Sequence, residues 1–188
     1  MKKLLVALLA LVAMSSLAVA QAPVIGIFDN DDAVQCDGII EAYVARDIFV
    51  FAVLTDIPAI TAAEFSISNY VGDLGPACAI VSAAWNTPLV IGDPGFGIAL
   101  AFSPALPGPN AFLGSINIFL LDAACIGDDY EMWILASQDS DKLVVVDEQF
   151  NEIDAVGYRY TFNCTGECPC EEGTATDNTS WGSVKALF

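Results

Sequence analysis

In Glu64-Phe65-Ser66-Ile67-Ser68 every second side chain is apolar. A β-strand sends alternate residues to opposite faces, so Phe65 and Ile67 share one face and three polar residues share the other. Ser115-Ile116-Asn117-Ile118 repeats the pattern, as does Tyr158-Arg159-Tyr160-Thr161-Phe162, where three aromatics face one way. These segments read as half-buried strands. The runs Ile48 to Leu54, Ile98 to Phe102 and Leu143 to Val146 are apolar throughout and fit strands buried on both faces. Met132 to Ala136 fits such a strand or a helix. Turn-forming Gly, Pro, Asp and Asn punctuate the runs at Gly72-Asp73, Gly75-Pro76, Asp93-Pro94-Gly95, Pro107-Gly108-Pro109-Asn110 and Gly127-Asp128-Asp129. Eight to ten short strands, roughly counted, with no long amphipathic helix, predict an all-β fold, a β-sandwich or a barrel, with strands enough for a sandwich of two packed antiparallel sheets.

Such a sandwich needs one sizeable core, and 55% hydrophobic residues over 188 supply it. The charge is lopsided, with 24 acidic residues against 6 basic ones and a formal net charge of -18. A surface of that sign repels phosphate backbones and argues against a nucleic-acid partner. The chain has no histidine, which excludes a Ser-His-Asp triad, a Cys-His pair and a histidine zinc site.

Residues 1–20 have the order of a bacterial secretory leader. Lys2 and Lys3 precede an apolar run from Leu4 to Ala13, and Ala18-Val19-Ala20 forms a small-x-small cleavage site. Cleavage there removes two lysines and no acid, leaving 24 acids against 4 bases. No later segment is long and apolar enough to be a spanning helix. The expected organisation is a leader at 1–20, a sandwich at 21–170 and an acidic linker with a short tail at 171–188. The expected location is outside the inner membrane: secreted, at the cell surface or in the periplasm. In the tail, Trp181, Val184 and Leu187 are spaced to share one face of a short helix that Ser180 could cap.

All six cysteines, Cys36, Cys78, Cys125, Cys164, Cys168 and Cys170, lie beyond the leader. In an oxidising compartment an even number predicts three disulfides. The C-x3-C-x-C cluster at 164–170 lacks the paired spacing of a closed zinc site. The expected pairing joins Cys78 to Cys125 and Cys36 to one of the last three, with the remaining two together.

The stretch Ile48 to Asn69, followed by Ile80-Val-Ser-Ala-Ala-Trp85 and Leu113-Gly-Ser-Ile-Asn-Ile-Phe119, resembles a cohesin-type module. The resemblance spans roughly residues 24 to 163 and implies a nine-stranded jelly-roll sandwich that binds partner proteins. The six cysteines depart from that family, so no binding residue and no dockerin partner is carried over. The ending, with Trp181, Val184, Lys185, Leu187 and Phe188, is similar to the Trp-x-x-Val-Lys-x-Leu-Phe tail of secreted single-domain bacterial proteins.

The expected function is non-catalytic: an extracellular or cell-surface interaction or structural module with protein partners. The alternative is a carbohydrate-binding module, calcium-assisted, whose partner is a polysaccharide. For that alternative Trp85 and Tyr70, at strand ends, are the candidate sugar-stacking residues. Asp29, Asp31 and Asp32 are the first candidates for calcium, the one cofactor considered, although Ala33 and Val34 break the EF-hand pattern. Otherwise these acids keep a loop solvated. No catalytic residue is singled out.

Charge repulsion that keeps copies apart at neutral pH fades as carboxylates protonate. Turbidity of the processed protein should therefore rise at about pH 4, in the range where carboxylates protonate; a flat pH scan would contradict this.

Overall fold

The computed structural model describes residues 21–171. The leader at 1–20 and the tail features at 172–188 lie outside the described residues. Thirteen strands occur among them: β1 (Val24–Phe28), β2 (Asp37–Gly38), β3 (Ala45–Val53), β4 (Ala59–Ser68), β5 (Ala79–Trp85), β6 (Leu89–Asp93), β7 (Gly97–Pro107), β8 (Asn110–Leu120), β9 (Tyr130–Leu135), β10 (Val144–Asp147), β11 (Glu152–Asp154), β12 (Val156–Gly157) and β13 (Arg159–Phe162). Two short 3-10 turns, Val71–Leu74 and Ala123–Cys125, are the only helical elements among these residues. No helix among them is long and apolar enough to cross a membrane.

The strands form the two layers the alternation predicts. The first sheet runs β12-β1-β3-β8-β5. The second is built around β4, which pairs with β7 along one side and with β10 and then β9 along the other. Beyond these lie β6 outside β7, β11 outside β10, and β13 and β2 outside β9. The sheets are mixed rather than purely antiparallel, because β1 with β12 and β13 with β2 pair in parallel. The run at Met132 to Ala136 is strand through Leu135, settling the helix alternative.

Between the layers sit Ile25, Ile27, Ile48, Val50, Ile60, Phe65, Ile67, Leu100, Leu113, Ile116 and Tyr160, all nearly free of solvent. Each such side chain contributes about 1.5–3 kcal/mol relative to leaving it in water. The outer face of the first sheet carries a smaller aromatic cluster. Phe28 and Phe51 meet edge to face at 6.2 Å, and Phe51 lies 5.3 Å from Phe112. Cys36 and Cys170 pack against this cluster.

A bulge in β4 sets which side chains face outward. Ile60 and Ala63 both point into the core although three positions separate them, and the pairing with β10 shifts register, with Val146 facing Ala62 and the next residue, Asp147, facing Ile60. The extra residue is Thr61, whose hydroxyl donates to the Asp147 carbonyl at 2.9 Å. A bulge reverses the faces beyond it. Ala62 and Glu64 therefore lie on the outer surface, and Ala63 and Phe65 lie inside.

The disulfides are Cys36–Cys170, Cys78–Cys125 and Cys164–Cys168, in agreement with the expected pairing. The first spans 134 residues and the last only 4. On the chain-entropy model the long closure contributes about 5 kcal/mol and the short one about 2. Cys36→Ser with Cys170→Ser should therefore lower stability in urea unfolding more than Cys164→Ser with Cys168→Ser. Equal losses would contradict that ranking.

Candidate functional site

Three places bring chemistry-bearing side chains together. The broadest is the outer face of the second sheet. Register places Glu152, Val146, Ala62, Ala101 and Leu89 in one row across β11, β10, β4, β7 and β6. The next row holds Asp154, Val144, Glu64, Ala99 and Ile91. Small alanines in the middle and larger apolar side chains at the sides leave a shallow groove of about 360 Å³. One wall is open to water: Leu89 is 59% and Ile91 78% exposed. Around the rim, Glu152 pairs with Lys142 at 2.7 Å, and Glu64 accepts a hydrogen bond from Ser140.

The second place is a cleft between the layers, where β5 ends one sheet and β6 the other. It joins the two aromatic residues singled out in the sequence. Trp85 and Tyr70 line it together with Asp73 and Asp93. They are walls rather than an exposed strip. Tyr70 is only 8% exposed, and Trp85 is half-buried with its ring edge-on to Phe65 at 6.0 Å. Burial, followed by the fields of Asp93 and Asp73, pushes the Tyr70 hydroxyl up to about 12.

The third place is the Asp29 loop. Asp29 follows directly on β1 and accepts hydrogen bonds from the Arg46 guanidinium and, at 2.9 Å, from the Tyr160 hydroxyl. The approach needs Gly38 beneath it, since a Cβ there would lie 2.2 Å from Asp29 Oδ1. Arg46 is held protonated first by its hydrogen bond to Asp29. Burial, with the Asp29 charge and hydrogen bond, raises the Tyr160 hydroxyl well above the usual tyrosine range. Asp29 is thus already matched by a cation, while Asp31 and Asp32 stand exposed in the following turn.

Asp129 also approaches the sulfurs of Cys164 and Cys168. Those sulfurs are bonded to each other, and Asp129 accepts from the Thr165 amide at 2.8 Å and the Thr165 hydroxyl at 2.7 Å. These bonds lower its pKa, and hydrogen bonds from Asn151 lower that of Asp147. A general acid needs the opposite shift.

The fold and the groove define a disulfide-braced β-sandwich with one open apolar face. No family model matches the chain, and no curated protein does. Among solved structures it is similar to cohesin modules, the family its sequence resembles. The cohesin module of a family 33 glycoside hydrolase from Clostridium perfringens shares 10% identity over 77% of this chain and 99% of that one, at a TM-score of 0.45. A scaffoldin cohesin of Acetivibrio cellulolyticus, solved in complex with a dockerin, shares 9% over 77% and 99%, at 0.46. A non-cellulosomal cohesin from Archaeoglobus fulgidus shares 10% over 78% and 93%, at 0.44.

Removing Arg46 would strand a largely buried carboxylate. Arg46→Met should cost about 2 kcal/mol in urea unfolding, the scale of a charge-assisted hydrogen bond. Adding Asp29→Asn should recover part of the loss; a double variant no better than the single one would contradict the pairing.

Proposed function

We propose that this protein is a non-catalytic interaction module working outside the cell, and that it takes a protein partner across the groove of β6, β7, β4 and β10. The observation that carries this reading is the pair Leu89 and Ile91, exposed beside a ladder of alanines. A contiguous apolar surface on an otherwise acidic protein is costly to leave in water unless something covers it. Alternating side chains on a sheet give a partner fixed pockets at strand spacing.

Charge indicates the kind of partner. Arg46, Lys142 and Arg159 are the cations among the described residues, and each is paired with an acid. The remaining carboxylates have no counter-cation among them, so a partner with basic residues around an apolar centre fits best. The oxidised cysteines and the leader-like residues 1–20 support a location in an oxidising compartment.

A photo-crosslinking residue placed at Ile91 should give a discrete protein adduct in the envelope or medium fraction of the source cells. The same probe at Phe150, 80% exposed and outside the groove, should not. Ala101→Arg, which fills the groove, should remove the adduct while leaving the melting temperature nearly unchanged. Identical adducts from both probe positions, or none from Ile91, would overturn the proposal.

A further inference from the structure

The cleft between the sheet edges has a chemistry the groove lacks. It measures about 400 Å³, and among the described residues no lysine or arginine lines it. Two carboxylates do. Asp73 lies against Gly95, where a Cβ would sit 2.3 Å from its Oδ2. Asp93 accepts the Gly95 amide through Oδ1 at 2.9 Å, leaving its second oxygen without a partner among the described residues. Tyr70 is more than nine-tenths buried, its ring covers Gly72, and its hydroxyl makes no hydrogen bond among those residues. Val81, Ala83 and Trp85 of β5 form the opposite wall.

We infer that this cleft receives a basic side chain, a guanidinium or ammonium group, presented by the protein partner. The inference rests on the proposed docking function and deepens it. Asp73 and Asp93 both attract a cation, and a neutral polyol lacks that attraction. The unpaired Tyr70 hydroxyl accepts one of its N–H groups. The faces of Trp85 and Tyr70 add cation–π attraction, which strengthens as water is excluded. Burial chiefly raises the Tyr70 pKa, and the charges of Asp93 and then Asp73 add to it, in line with both carboxylates lying near that hydroxyl. Position favours a shared partner as well. Asp93 and Ile91 lie on β6 two residues apart, about 7 Å along a strand, so one molecule covering the groove also reaches the cleft.

The test uses the full chain and small probes. N-acetyl-arginine methylamide is titrated while the Trp85 indole N–H is followed by NMR. N-acetyl-citrulline methylamide, the neutral isostere, and glucose serve as comparisons. Arginine should shift the signal saturably, and citrulline and glucose should not. Rising salt should weaken binding. Asp73→Asn should weaken it at least five-fold, and Ala83→Arg, on an exposed residue, should abolish it by placing a cation at the cleft. Melting curves of both variants check that they remain folded. Equal shifts with arginine and citrulline, saturation by glucose alone, or unchanged affinity in Asp73→Asn would overturn the inference. The Ile91 crosslink does not depend on the cleft, so its persistence would confine the failure to this site; its loss alongside intact arginine binding would confine failure to the groove.

Discussion

Everything in this molecule depends on β4 holding two kinds of neighbour at once. Its ten residues carry Ile60, Ala63, Phe65 and Ile67 into the core while pairing with β7 on one flank and with β10 and β9 on the other. Burial of its inner side chains fixes the register, because a slip of one residue would put Phe65 and Ile67 in water. The Thr61 bulge is the one permitted break in that rule, and it decides that alanines, not larger residues, floor the outer groove. The outer groove is thus a by-product of core packing with one inserted residue.

The sequence made the layers legible because a period of two is a local signal. Phe65 with Ile67 and Ile116 with Ile118 alternate in plain view, and each sits where the alternation requires. The cysteine pairing was legible in part: Cys78 with Cys125 agrees with expectation, but spacing does not choose which of the last three cysteines takes Cys36. Non-local geometry was not legible. Leu89 and Ile91 follow Thr87 and Pro88 in a short run without a marked polar face, and only their edge position exposes them. Ala62, Ala99 and Ala101 carry no signal of their own until register sets them side by side. Asp29 and Tyr160 are 131 positions apart, so their contact had no trace in spacing. Tyr70 is a sugar-stacking candidate only by its place at a strand end, and the turn at Val71–Leu74 folds its ring inward over Gly72.

Electrostatics divides the surface into settled and unsettled parts. Arg159 illustrates the settled part: it bridges Glu131 and Glu171 and stacks 5.5 Å over Trp133, fastening residue 171 to β13. In the groove rim and the cleft, carboxylates outnumber the cations near them. Nearby like charges weaken the free state slightly and favour whichever state brings positive charge. In the proposed complex, apolar contact in the groove supplies affinity without sign, and the cleft adds a requirement of sign and reach.

One edge is left unguarded. Among the described residues β5 pairs only with β8, and Ala79-Ile80-Val81-Ser82-Ala83-Ala84-Trp85 contains no charge and no proline. Soluble sheets usually blunt such a margin with lysine, proline or a bulge. Here the long-range repulsion between whole molecules does that work instead. Crowded preparations with that repulsion screened would be prone to stack margin to margin, sheet continuing into sheet, so precipitates of this protein would be ordered, amyloid-like ribbons rather than amorphous clots.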